Sequence, residues 1–259
     1  MSNFSRTVLG NASLYFMDCM EYMKSISDNH YDVAIVDPEW GRKEHGGINR
    51  SKFVKQNNGS KMFVDGNKYK LKCWDEVAVG REYFKELFRI SKNQIIFGVN
   101  YFEQNFGSGR IVWDKCNSGS DQSDCEIAYN SMTSRVDLFR YMWRGMLQGS
   151  GVYNGHVQQG NKKLNEVRIH PCQKPVALYD YILTNFIEKG MIIFDSHHGS
   201  GSLSVSCNKL GYKIDACEND QDYFEDSLVR IGDVLRQADF MSDVGIVEES
   251  GYSQLNLEI

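Results

Sequence analysis

The chain has 259 residues, 41% apolar and 12% aromatic, enough for one large α/β core and too many for wholesale disorder. Its net charge of −5 argues against a uniformly basic binder of polyanions, and no apolar run reaches membrane-spanning length. The polar start Met1-Ser2-Asn3-Phe4-Ser5-Arg6 is no signal peptide, and the seven cysteines (19, 73, 116, 125, 172, 207, 217) contain no Cys-x-x-Cys pair, so no disulfide framework, metal cage or membrane partner is expected and a cytoplasmic setting is.

Leu14 to Asp18 reads as a short strand. Cys19 to Ile26 reads as a helix with Met20, Met23 and Ile26 on one face. The next strand, Tyr31 to Val36, ends abruptly in Asp37-Pro38-Glu39-Trp40. Asp-Pro is an ordinary strand ending, but an indole two residues later is not. A carboxylate beside an aromatic face suits a site that holds a flat heterocycle and hydrogen-bonds an amino group on its edge.

From Gly41 to Lys72 no period is visible, and the stretch is long for a connection. It carries nine basic residues (Arg42, Lys43, Arg50, Lys52, Lys55, Lys61, Lys68, Lys70, Lys72) against Glu44 and Asp65, a local balance of +7. Such a stretch is either a solvated loop or a phosphate-binding patch. A helix is expected over Arg81 to Arg89, then strands at Gln94–Val99, Ile111–Trp113 and Glu126–Tyr129. From Ser134 to Val167 the pattern weakens, with five glycines between Gly145 and Gly160, and an irregular insertion is expected. Beyond it come helix Pro175–Phe186, strand Met191–Asp195, helix Ser202–Leu210, strand Tyr212–Cys217 and a helix from Asp222 to about Gln237. Strands alternating with helices predict a single α/β domain with a doubly wound, mostly parallel sheet of Rossmann-like type.

The second informative loop follows Asp195: Ser196-His197-His198-Gly199-Ser200-Gly201-Ser202. Glycines let the backbone turn tightly and let a ligand approach it. The following strand ends at Glu218, seventeen residues past Gly201, near the spacing of an acid that binds ribose hydroxyls. A third fingerprint glycine is missing, since Ser204 stands there, and two histidines precede the first. A nucleoside without phosphates, S-adenosylmethionine (AdoMet), therefore fits better than NAD.

At this point the chain resembles the DNA amino-methyltransferases in which the catalytic motif precedes the cofactor loop. Asp37-Pro38-Glu39-Trp40 is similar to the family's Asp-Pro-Pro-Tyr, and Asp195 to Ser202 to Asp-Pro-Phe-x-Gly-Ser-Gly-Thr. Arg168-Ile169-His170-Pro171-Cys172-Gln173-Lys174-Pro175 resembles His-Pro-Thr-Gln-Lys-Pro. Tyr15 to Glu21 resembles the opening Gly-Asp element, and Gly211, Glu218 and Tyr223 follow the Leu-Gly…Glu…Tyr pattern. The similarity spans about residues 10 to 235 in the family's order.

The resemblance implies methyl transfer from AdoMet to the exocyclic amine of a flipped DNA base. Asp37 and the Pro38 carbonyl would accept the amine's N–H bonds, Glu39 would complete the motif, and Trp40 would stack on the base. Asp195, Ser196, His197, Gly199, Ser200, Gly201 and Ser202 would cradle the cofactor. Glu218 would hold its ribose, Asp18 would lie near its adenine, and Gln173 and Lys174 would approach its carboxylate. The leading aspartate resembles adenine-N6 enzymes more than cytosine-N4 enzymes. DNA contacts are expected from Arg42, Lys43, Arg50, Lys52 and Lys55, and base reading from the 134–167 stretch with Arg135, Arg140, Arg144, Asn154 and Gln158. A homodimer stays open.

Two positions depart from the pattern. Glu39 replaces the second proline, and His197 replaces the phenylalanine that covers the methionyl part of the cofactor. The alternatives these leave are a DNA-binding homologue with impaired turnover and a cytosine-N4 enzyme; a nicotinamide oxidoreductase fits worse. His197-His198 lacks a third ligand for a metal. His170 is read as a structural hydrogen-bond partner, Trp74, Trp113 and Trp143 as core, and Ser123-Asp124-Cys125-Glu126 as no nucleophile cluster.

Overall fold

The computed structural model describes residues 5–43, 52–55, 59–64, 72, 75–117, 123–144, 147–150 and 165–243. In chain order the elements are β1 (Ser5–Leu9), β2 (Ala12–Phe16), α1 (Cys19–Ser25), β3 (Tyr31–Val36), β4 (Lys52–Lys55), β5 (Lys61–Val64), α2 (Arg81–Ile90), β6 (Ser91–Phe97), a 3-10 turn (Val99–Tyr101), β7 (Arg110–Asp114), β8 (Cys125–Asn130), β9 (Val136–Arg140), β10 (Met142–Arg144), β11 (Leu147–Gly149), α3 (Val176–Phe186), β12 (Ile192–Asp195), α4 (Ser202–Leu210), β13 (Lys213–Glu218) and α5 (Gln221–Asp243).

Nine strands form one sheet in the order β1-β2-β13-β12-β3-β6-β8-β7-β9. Its centre, β2 to β6, is parallel throughout. The flanks break the pattern: β1 is antiparallel to β2, and β8 is antiparallel to both β6 and β7.

The apolar run of β3 is continuous because both faces of the sheet are covered. Val33 and Ile35 point to one core, where Leu178, Ile182, Leu203 and Ile231 of α3, α4 and α5 pack. Ala34 and Val36 point to the other, with Tyr22 and Met23 of α1 and Tyr83, Phe84 and Leu87 of α2. Helices thus change faces between β3 and β12, which are parallel neighbours. The crevice beyond their carboxyl ends is where ligands bind in such sheets.

The expected insertion at 134–167 is corrected in its first part. Val136–Arg140 is an edge strand of the main sheet, parallel to β7, and β10 and β11 pair as a hairpin. The strand escapes pattern reading because its apolar residues Val136 and Leu138 stay exposed while Asp137 and Phe139 turn inward. Residues 151–164, with Asn154 and Gln158, lie outside the described residues. Within the expected loop 41–72, β4 and β5 form an antiparallel hairpin. Pro175 caps α3 instead of occupying its first turn.

Candidate functional site

A cleft of about 640 Å³ opens at the carboxyl edge of the sheet. The loop after β3 (Asp37 to Trp40), the loop after β12 (Asp195 to Ser200), the start of α1 and the end of β13 all line it. The two loops singled out from sequence therefore share one space.

Asp37 leaves β3 with a split environment. Its Oδ2 is gripped by the Lys174 ammonium, whereas Oδ1 is buried and makes no hydrogen bond. Lys174 is also 3.4 Å from Glu126 Oε2, and Glu126 Oε1 pairs with Lys115 at 2.5 Å. Burial lifts Asp37 above the ordinary carboxylate range, Glu126 adds to that, and Lys174 opposes it. Burial acts against charge on Lys174 too, but the two carboxylates hold it protonated. Lys174 thus pairs with Asp37, and the Gln173 side chain accepts from Ile169 N at 2.9 Å and donates to Val167 O at 3.1 Å; both residues line the cleft.

Asp75 fixes the turn after the motif. Its two oxygens accept from Trp40 N and Gly41 N at 2.8 Å and from Arg42 N at 3.1 Å. The Trp40 indole stacks on Tyr101, with centroids 5.0 Å apart and planes 18° from parallel. Gly98, at φ +73°, permits this: a Cβ there would meet Trp40 Nε1 at 2.1 Å.

Across the cleft, Gly199 (φ +52°) and Gly201 (φ +73°) carry the turn into α4. Glu218 binds backbone with both oxygens, Oε2 accepting from Gly199 N and Oε1 from Asp220 N at 2.8 Å each. Ser200 and Ser202 turn inward, and Arg230 of α5 donates to Ser200 O and Ser202 Oγ at 2.7 and 2.9 Å. Asp195 is buried and accepts from His197 N at 3.1 Å. Burial lifts its carboxyl to about 7, despite that hydrogen bond. Asp18 caps α1, its Oδ1 accepting from Met20 N and Glu21 N at 2.9 and 3.1 Å, and the residue lines the cleft.

The two departures meet: His197 Nε2 lies 2.9 Å from Glu39 Oε2. The neighbouring His198 points away, is buried, and is held neutral by burial, which lowers it to about 3. Among the described residues no cluster of side chains could hold a metal ion. His170 accepts from Cys172 N at 3.1 Å, as a structural partner would. Trp113 and Trp143 are core residues, while Trp74 lies outside the described residues.

The proposed DNA contacts are spread out. Arg42 lies over the Tyr101 ring at 5.2 Å and lines the cleft with Asp75. Arg140, paired with Asp114 at 3.0 Å, ends β9 at the cleft side of the sheet. Arg135 precedes β9 and pairs with Asp137, so it stands at the opposite edge, some ~17 Å away along a five-residue strand. Lys43 is exposed and donates its backbone N–H to Asp75 O at 2.8 Å. Lys52 and Lys55 lie on β4 and Arg144 on β10; Arg50 lies outside the described residues.

Asp75, Lys115, Glu126, Tyr83 and Arg230 are not legible from sequence as site residues. Tyr83 reads only as an inward-facing residue of the helix over 81–89, and Glu126 as part of a stretch weighed as a nucleophile cluster. The role of Glu126 depends on Lys174, 48 positions away in the chain.

Comparison with known proteins bears on the family and the fold. A family model described as DNA methylase matches residues 140–229. The chain is 21% identical over 227 residues to the type II methyltransferase M.HpaI of Haemophilus parainfluenzae, covering 80% of this chain and 70% of that one. It is 22% identical over 247 residues to the type II methyltransferase M2.MboI of Moraxella bovis, covering 83% and 85%. Among solved structures it is similar in fold to PvuII DNA methyltransferase (cytosine-N4-specific), with a TM-score of 0.52 and 13% identity over 91% of this chain and 96% of that one. No helix among the described residues is long and apolar enough to cross a membrane.

Proposed function

We propose that this chain is a DNA amino-methyltransferase that methylates the exocyclic amine of a flipped DNA base, adenine N6 in preference to cytosine N4. The observation that carries the reading is the buried, unpartnered Oδ1 of Asp37, in a residue that lines the same cleft as Gly199 and Ser200. A buried acceptor left open at a cleft is costly unless a donor arrives to fill it.

The residues fit AdoMet. Gly199 leaves room against the backbone, Glu218 stands at the end of β13 as a hydroxyl acceptor, and the cleft volume suits a nucleoside with an amino-acid tail. When bound, AdoMet supplies a methyl on a sulfonium. Asp37 Oδ1 and the Pro38 carbonyl would accept the two amine protons, and this orients the nitrogen lone pair toward the methyl. Held by the turn at Gly199 and by Glu218, AdoMet would supply both the methyl and a neutral thioether as leaving group. The nitrogen would then shed a proton, and Asp37, its carboxyl lifted by burial, would be placed to take it. Trp40, backed by Tyr101, offers a stacking face. Lys174 opposes the effect of burial on Asp37 and stays near enough to Glu126 to lean there when an amine takes up the carboxylate. Arg42 and Arg140, on the cleft side, are the favoured phosphate contacts, and Arg135 is not.

The leading aspartate supports adenine. Expression in a host without DNA methylation, followed by base-modification sequencing, reports activity, base and site together. Methylcytosine alone would reverse the base preference. No modification, with AdoMet still bound and DNA binding unaffected by Asp37→Ala, would sink the enzymatic reading.

A further inference from the structure

Glu39 and His197 lie on different loops, the first two residues past Asp37 and the second two residues past Asp195. Their contact of 2.9 Å is the direct side-chain bridge between the acceptor side and the glycine side of the cleft. Neither side chain is free to wander, with exposures of 26% and 19%. The histidine continues the chain inward. Its Nδ1 is 2.8 Å from Ser196 Oγ, which is 2.6 Å from the hydroxyl of Tyr83 on α2. Tyr83 also packs edge-on against the imidazole, with centroids 5.5 Å apart.

Resting on the function proposed above, we infer that Glu39 and His197 are positioning residues that clamp the acceptor loop onto the cofactor loop and so set the distance over which the methyl moves. The clamp is strongest with a charged ring. An imidazolium then faces the Glu39 carboxylate as an ion pair, whereas a neutral ring keeps only a hydrogen bond, Nε2–H donating to Glu39 while Nδ1 accepts from the Ser196 hydroxyl. The surroundings favour the charged form. Facing His197 are Asp37 and Glu39 from the end of β3, Cys19 from α1 with Sγ at 4.0 Å, Tyr83 from α2, Asp195 from β12 and Glu218 from β13. Burial works against charge on the ring, but Glu39 and then Cys19 outweigh it and lift His197 well above its ordinary range. Burial likewise opposes ionisation of Glu39, and His197 overcomes that and lowers it. The pair also spares an incoming sulfonium a lone cation, because the ring's charge is matched by the carboxylate.

The sign follows from the raised histidine. The clamp is strongest at neutral pH and weakens as pH rises through the folded-state value, where the ion pair becomes an ordinary hydrogen bond. Imidazole NMR titration of the full chain tests the contact without turnover. His197 should titrate well above the ordinary value in the native sequence and return toward about 6.5 in Glu39→Gln. Kinetics with labelled AdoMet test the role. Glu39→Gln and His197→Gln should each lower kcat about tenfold and erase an alkaline limb that the native chain shows. Affinity for the demethylated cofactor should change less than about threefold. The double variant Glu39→Pro/His197→Phe should regain most of kcat without the limb, since an apolar contact then replaces the charged one. Native-like kcat with an intact limb in both single variants, or a native His197 titrating near 6.5, would overturn the inference. A native chain that transfers no methyl to any DNA sinks the proposed function, and the NMR titration then still decides the clamp.

Discussion

Lys174 grips one oxygen of Asp37 and leaves the other open. A lysine normally enters a site as a point charge that neutralises; here its partner must also remain an acceptor. The second carboxylate makes this workable. Glu126 is 3.4 Å from the same ammonium and is itself tethered by Lys115, so the lysine can shift between two acids with no charge left bare.

This arrangement predicts opposite pH shifts for two substitutions. Lys174→Gln removes the cation that opposes burial of Asp37, so the acid limb of kcat should move to higher pH, with a loss of roughly 3–5 kcal/mol in stability as the buried carboxylates lose their partner. Glu126→Gln removes a negative neighbour and leaves the lysine to Asp37 alone. Its acid limb should move to lower pH, and kcat should fall because the carboxylate is held more tightly. Parallel shifts in the two pH–rate profiles would refute the sharing of one ammonium.

Asp75 holds the turn that follows the motif through three backbone N–H groups while itself 2% exposed. Charge-assisted hydrogen bonds of this kind contribute more than neutral ones. Asp75→Ala should cost about 2–4 kcal/mol in denaturant unfolding. It should also reduce transfer while leaving AdoMet affinity nearly intact, because only the acceptor loop depends on it. An equal loss of cofactor affinity would mean that Asp75 supports the whole cleft.

The parts legible in the sequence are those whose cause is local. The strand Tyr31–Val36 and the helix Ser202–Leu210 stand where a bounded apolar run and a glycine-flanked segment place them. Asp75 and Arg230 were illegible because each acts on backbone groups about 30 or more positions away, and nothing near them in sequence marks that reach. Val136–Arg140 was missed for another reason: an edge strand with exposed valine and leucine lacks the burial that makes alternation visible. Glu39 and His197 were seen but read as two separate weaknesses. Folding turns them into one contact, which a linear comparison with a motif cannot reveal.

Gly98 tests the stacking surface. Its φ of +73° disfavours any side chain, and the added methyl would collide with the Trp40 indole at 2.1 Å. Gly98→Ala should therefore cost about 1–3 kcal/mol and push the indole off Tyr101. Tryptophan fluorescence should change, and transfer should drop more than cofactor binding does. A native-like spectrum with native kcat would show that Trp40 tolerates displacement.

Asp195 gives a prediction about stability alone. Its carboxyl, raised to about 7 by burial, keeps a proton in the folded chain at pH values where the unfolded chain has lost it. Between about pH 4 and 7 the folded state thus binds more protons than the unfolded one, so this residue makes stability fall as pH rises, with a slope of up to about 1.4 kcal/mol per pH unit. Above that window the slope vanishes, because both states are ionised. Asp195→Asn keeps an oxygen to accept from His197 N and removes the titration. Its stability relative to the native chain should be near level at pH 4 and higher by up to about 4 kcal/mol at pH 8. Unfolding curves at several pH values measure the difference. A gap that stays constant with pH would mean that the carboxyl ionises in the folded chain as readily as in the unfolded one.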